Sequence, residues 1–397
     1  MGDRLDFQFC MSNITAMPSK STNDAQEIQE IRALTGIRGF AAALVVLGHY
    51  QGAWSTLVPF LHRLDALASH GGQGVDLFFI LSGFILSYVY KGAQRTSFGV
   101  SQYGRFVCLR FARLWPNHIA TLIFLALLVF VAKHRGTTLG GAYPLAGLPF
   151  QITMTHAWPL IPEGPWGWNY PSWSISTEWF AYLFLFPAVW RALDFKLKPP
   201  LWFGLCYVFL AIWLFVLFPT KIEWCDLIGR VTCEFLAGAM LFNTYRKSET
   251  ITRFCQRSVF FVWLALLAGL CFLPSRIPLA LPAIALLFPI LLLGLTEETS
   301  ATARFFASPP ILWSGRVSYA LYMSHGVVQK VLKVLLPLEH YQYSSLTIRL
   351  LLLLAYFLIL ILAAALLYYA VEIPARHFLR QFAARWRNKT SVAKVFP

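Results

Sequence analysis

Apolar stretches of roughly the twenty residues needed to cross a hydrocarbon core alternate with short polar joints along almost the whole chain. Ten such stretches can be read, at 33–54, 74–91, 114–132, 174–192, 201–218, 226–244, 259–273, 278–295, 311–336 and 348–371. The pattern predicts an all-α, polytopic integral membrane protein with about ten transmembrane helices. The seventh and eighth stretches are short and separated only by LPSRIP, a proline-bounded turn that predicts a tight helical hairpin. No internal repeat is evident. Residues 1–30 are polar and of mixed charge, and read as a flexible cytoplasmic tail. Residues 31–378 form the membrane domain, and residues 379–397 a basic cytoplasmic tail.

Composition sharpens this layout. The chain is 57% hydrophobic and only 13% charged, where a soluble domain carries roughly 25% charged residues. A net charge of +15 would suit a nucleic-acid partner. However, Lys and Arg flank the apolar runs instead of forming a stripe, so the expected partner is the lipid bilayer and no nucleic acid. With the N-terminus in the cytoplasm, the inner side collects 24 of the 33 Lys and Arg and the outer side 9. The positive-inside rule therefore predicts that both termini are cytoplasmic. Seven cysteines without a CxxC pair and nine scattered histidines suggest neither a disulfide framework nor a metal centre. The longest joint, 133–173, contains WPLIPEGPWGWNYPSW and should lie back over the outer mouth, because Trp and Tyr favour the membrane interface.

Ionisable residues inside such stretches are costly in hydrocarbon and therefore informative. Arg38 and His49 lie eleven residues apart in the first stretch, on one helical face and roughly 16 Å apart along the axis. They suggest a polar passage from one membrane surface into the core. A plainer reading makes Arg38 a topology anchor and His49 a hydrogen-bonded packing residue. Arg110 and Arg113, in RFVCLRFARLWPNH, share a face at the start of the third stretch. They form either a phosphate-gripping pair or an anchor. Glu178, in PSWSISTEWFAYLFLFP, enters from the outer side and lies about 8 Å deep, whereas His49 lies some 24 Å above residue 33. A His49–Glu178 contact is thus allowed and would orient the imidazole; the alternative is a structural pair of Glu178 with an arginine such as Arg230. Asp76 and Ser82 in the second stretch, Trp173 at the end of the long joint, and Tyr319 and His325 in GRVSYALYMSHGVV complete the candidate substrate contacts.

Taken in order, RALTGIRGFAAALVVLGH, GVDLFFILSGFIL, RFARLWPNH, WSISTEWFAYLFLFP, GRVSYALYMSH and VEIPARHF resemble the acyltransferase-3 family of integral membrane acyltransferases. The resemblance runs from residue 32 to 378. It implies ten membrane helices in a bacterial inner membrane, with acyl-CoA (acetyl-CoA as first choice) as donor. The acceptor would be a hydroxyl on a glycan, a lipid-linked sugar or a glycosylated natural product. The family's Arg–x10–His motif fits Arg38 and His49, and its arginine motif fits Arg110 and Arg113. The family often has Asp where this chain has Thr35, and a second adjacent Arg where it has Leu109. The Thr resembles members that acylate macrolides.

These readings together describe an O-acyltransferase without a metal. Arg38, Arg110 and Arg113 would hold the donor phosphates, His49 would act as general base or covalent carrier, and Glu178 would orient it. One rival is a transporter or flippase using Arg38, His49 and Glu178 as a path. Another is an unrelated membrane O-acyltransferase with His325 as its base.

Overall fold

The computed structural model describes residues 29–90, 99–137, 143–159, 161, 166–192, 196–220, 225–273 and 280–381. The predicted tails beyond residues 29 and 381, and the 274–279 turn, lie outside the described residues. Helix occupies every predicted stretch, and no strand occurs among the described residues. The principal helices are α1 (Arg32–Leu57), α2 (Gln73–Tyr90), α3 (Val100–His134), α4 (Trp173–Phe180), α5 (Pro199–Ala211), α6 (Arg230–Lys247), α7 (Glu249–Phe272), α8 (Ala280–Ala285), α9 (Phe288–Gly294), α10 (Pro309–Leu335) and α11 (Leu346–Leu367), with shorter helical turns between them. Among the described residues, six helical runs are long and apolar enough to cross a membrane: those of α1, α2, α3, α5, α7 and α11.

Local chemistry explains where the helices begin. Ser248 and Ser345 accept hydrogen bonds from Ile251 N–H and Ile348 N–H, and so cap α7 and α11. Prolines open α5 and α10, where a missing N–H costs nothing. Helix α3 starts at Val100, well before the apolar boundary at 114. Gln102 accepts from Gly99 N–H at 2.6 Å and closes that first turn. Hydropathy marks only the hydrocarbon-soluble part of this helix, so its polar first turns escaped the pattern.

Two helix pairs form the frame of the site. Helix α1 packs on α10, and α2 packs on α6. Between apolar helices in lipid, packing and close backbone approach do most of the work. A Cβ at Gly315 would lie 1.9 Å from Thr35 O, and one at Gly238 would lie 1.9 Å from Ile80 O. Helix α4 passes through a π-helical turn at Ala181–Leu185, and α11 continues into another at Tyr368–Glu372. Such turns shift side-chain register and are frequent at functional sites. Leu351, Leu354, Leu362 and Leu366 of α11 face outward, as a helix bordering lipid requires.

The described part of the long joint is folded onto the bundle. Met154 and Trp168 sit in the left-handed region, at φ 58° and 52°. Such strain costs of order 1–3 kcal/mol per residue and persists only where packing enforces it. Both side chains are buried. Trp168 Nε1 donates to Pro144 O at 3.0 Å, and Asn169 Nδ2 donates to Met323 O of α10 at 3.0 Å. The joint seats over Gly326, where a Cβ would meet Tyr170 and Pro171 at 2.9–3.0 Å.

Candidate active site

Helices α1, α2, α3, α4 and α10 enclose a cavity of about 200 Å³. Its polar wall is made by Arg38, Ser82, Arg110, Arg113, Glu178, Tyr182, Tyr319 and Tyr322, and its apolar wall includes Phe78, Phe79 and Ile85. Arg113 Nη1 lies 2.8 Å from Glu372 Oε1 and over the ring of Tyr319. Asn117 Nδ2 donates to the other oxygen of Glu372 at 2.6 Å, and Arg376 also bonds that carboxylate. Glu178 accepts from Ser82 Oγ at 2.9 Å and from the hydroxyl of Tyr182. Arg110 lies 6.0 Å over the rings of Phe106 and Tyr182. Arg38 and Arg110 form no ion pair among the described residues. Two guanidinium groups without a carboxylate partner, beside a third that is paired, give the cavity an excess of fixed hydrogen-bond donors suited to an anion.

His49 stands outside this cavity, in the C-terminal half of α1, where Tyr170 of the long joint packs against it. Its Nδ1 lies 2.9 Å from Val45 O, and its ring packs 4.9 Å from Tyr170 and 5.0 Å from His325. A carbonyl can only accept, so the Nδ1 proton is engaged and Nε2 carries the lone pair. The imidazole is exposed, and one turn further along α1 a Cβ at Gly52 would meet nothing within 4 Å. Gln329 Nε2 donates to His49 O at 2.5 Å, while its Oε1 accepts from the Tyr170 hydroxyl at 3.3 Å. The long joint is thereby fastened to the backbone that carries His49. Tyr322 adjoins both places: it lines the cavity, and its ring lies 5.6 Å from that of His325. Its hydroxyl is held by Ser174 Oγ at 2.7 Å and by Pro171 O at 3.1 Å.

The structure corrects several expectations. Glu178 does not meet His49; it faces the arginine cavity and is bonded by Ser82 and Tyr182. The depth argument fixed position along the axis only, and helix azimuth turns Glu178 into the cavity and His49 toward Tyr170 and His325. Nor does Glu178 pair with Arg230, which binds Asp76 at 2.5 Å and Glu234 at 3.6 Å. Asp76 is therefore an ion-pair partner and does not line the cavity. Trp173, which underlies Arg230 at 5.6 Å, is also absent from the cavity wall. Arg113 does line the cavity, but it is also committed to buried Glu372. Ser82 and Tyr319 do line the cavity, and Thr35 joins them. His325 instead adjoins His49. Glu372 lies in the VEIPARHF segment, yet nothing in its local pattern marked it as the carboxylate that ties α11 to α3.

Sequence reasoning also missed a buried pair of histidines. The rings of His118 and His156 stack 5.8 Å apart, and Ser172 Oγ lies 3.1 Å from His156 Nε2. Burial, reinforced by His118, pushes His156 of the long joint down to about 3, so it is neutral at ordinary pH. These residues lie far apart in sequence, and neither spacing nor composition links them.

Comparison with known proteins bears on this arrangement. Residues 31–369 match the acyltransferase-3 family, described as an acyltransferase domain. The chain belongs to that family. It is 30% identical over 165 residues to the acyltransferase MdmB of Streptomyces mycarofaciens, covering 41% of this chain and 40% of that protein. It is 38% identical over 93 residues to protein 2 of the picA locus of Rhizobium radiobacter, covering 23% of this chain and 42% of that protein. The chain thus spans well under two thirds of each of these relatives. No solved structure matches it.

Proposed function

We propose that the chain is a membrane O-acyltransferase that takes an acyl group from acyl-CoA, acetyl-CoA first among them, and passes it to a hydroxyl of a glycan, lipid-linked sugar or glycosylated natural product. One observation carries this reading. Arg38, Arg110 and Arg113 line one cavity, while on the same helix as Arg38, roughly 16 Å further along, His49 has its Nδ1 engaged by Val45 O and an Nε2 without a hydrogen-bond partner among the described residues. A donor with phosphates at one end and a thioester at the other end of a long arm matches that separation. The phosphates are assigned to the arginines, and the acceptor approaches His49 from the side of the long joint.

The chemistry assigned to His49 is general-base catalysis. The acceptor O–H proton passes to Nε2, and a bond forms between the acceptor oxygen and the acyl carbon. The C–S bond breaks, and the proton returns to the departing sulfur as free coenzyme A thiol. Glu178 balances the arginine charges and holds Ser82 and Tyr182 on the cavity wall. For the acyl carbon to reach His49, the arm must pass Tyr322. Its hydroxyl is tied to Pro171 and Ser174, so movement of this ring is coupled to the long joint.

The test uses purified full-length protein in detergent or nanodiscs with acyl-labelled CoA and candidate hydroxyl acceptors. Wild type should release coenzyme A with acceptor-dependent transfer of label. His49→Ala should lose at least 10²- to 10⁴-fold in rate, in the range of general-base removal, while acyl-CoA still binds. Undiminished turnover by the folded His49→Ala protein would refute the assignment of the base. A chain that only moves solutes would release no thiol.

A further inference from the structure

The second imidazole beside His49 has an unusual electrostatic position. His325 is 0% exposed. Its Nδ1 lies 2.6 Å from Tyr322 O, so that proton is engaged and Nε2 must carry the lone pair. That Nε2 is buried without a hydrogen-bond partner, and such an orphan costs free energy unless it is used at some stage. The backbone holds it firmly, because Tyr50 donates its hydroxyl to His325 O at 2.9 Å. The adjoining Gly326 is pinned under Tyr170 and Pro171.

The neighbouring ring, 5.0 Å away, is His49. In the resting state both imidazoles hold their Nδ1 proton against a carbonyl and both present an Nε2 lone pair. Two acceptors cannot bond each other. Once His49 takes a proton on Nε2, it becomes a donor, and the orphan acceptor of His325 belongs to the ring whose centroid is 5.0 Å from its own. An interaction that is absent in the ground state and present when charge develops accelerates the chemical step.

We infer that His325 is a positioning residue for His49, accepting a hydrogen bond from the imidazolium that forms during acyl transfer. This inference rests on the proposed assignment of His49 as the base. His325 undergoes no net change. The proton stays on His49 until it leaves with the thiol, and no further reactant is needed. The titratable groups that face the pair are Tyr170 from the long joint, Tyr50 from α1 and Tyr322 from α10. Lys330, one position past Gln329, is turned to the hydroxyl of Tyr143. No carboxylate bonds either imidazole among the described residues, so His325 takes the supporting role that Glu178 was expected to fill.

The experiment compares His325→Asn with His325→Gln in the purified protein, following acyl transfer from pH 5 to 9. Asn keeps an N–H for Tyr322 O but has no acceptor at the Nε2 position; Gln keeps an acceptor there. In His325→Asn, kcat should fall about tenfold or more, the value of one hydrogen bond to a charged group. The acidic limb of its rate profile should move to lower pH, because the protonated His49 has lost its partner. The KM for acyl-CoA should stay near that of wild type, and His325→Gln should recover much of both rate and profile. A purely structural role would lower the amount of active enzyme without moving the limb. An unmoved limb in His325→Asn, or equal defects in the two variants, would overturn the inference while leaving His49 in place. A fully active His49→Ala would instead overturn the parent assignment.

Discussion

At the residue scale, the three cavity arginines are not equivalent. Arg38 and Arg110 carry no ion pair among the described residues, so replacing either with Gln removes a donor without leaving a buried carboxylate alone. Each variant should raise the KM for acyl-CoA about tenfold or more, since a charge-assisted contact is typically worth roughly 1.5–3 kcal/mol, with little change in melting temperature. Arg113→Gln should behave differently. It withdraws the 2.8 Å partner of Glu372, which then keeps only Asn117 and Arg376. Stability should drop by about 1–3 kcal/mol in addition to the effect on KM. Steady-state kinetics and thermal melts of the three single variants would separate the two effects; equal melting temperatures would show that the Glu372 pair contributes little. His156 offers a second check. Its folded value of about 3 lies below the ordinary 6.5. Between these values the unfolded chain binds a proton that the folded chain does not, so stability is full above pH 6.5 and falls as pH decreases toward 3. The melting temperature should therefore decline on acidification from pH 7 to 5, and His156→Asn should flatten that decline.

At the element scale, backbone proximity sets the register of the frame. Gly83 of α2 and Gly238 of α6 meet so closely that their added Cβ atoms would lie 2.0 Å from Phe235 O and 1.9 Å from Ile80 O. These contacts are with backbone, which cannot rotate away, so Gly238→Val must separate the helices. Its expected result is loss of folded protein in fluorescence-detected size exclusion. Gly52→Ala, with open space around it, should be unaffected and serves as its control in the same assay. If Gly238→Val were as well folded as Gly52→Ala, the α2–α6 approach would be looser than described. The helices themselves were legible as apolar stretches. Their glycine contacts were not, because a single sequence does not reveal which glycine faces which carbonyl.

At the scale of the whole molecule, orientation follows from charge. The side collecting 24 of the 33 Lys and Arg should face the cytoplasm. Val100, 90% exposed at the start of α3, is a suitable reporter. A cysteine placed there should react with a membrane-impermeant maleimide only after the cells are permeabilised, and labelling of intact cells would invert the topology. By itself the amino-acid sequence determined the all-α membrane class, the positions of the helical stretches and the polar residues that interrupt them. Each depends on hydropathy and the cost of charge in hydrocarbon, which are summed along the chain. Tertiary structure alone decided which polar residues share a compartment. Arg38, Arg110, Arg113 and Glu178 meet in one cavity, while His49 lies beyond Tyr322 against His325. Periodicity gives a residue's height and its face on its own helix, but the partner of that face depends on how the helices are rotated and packed against one another.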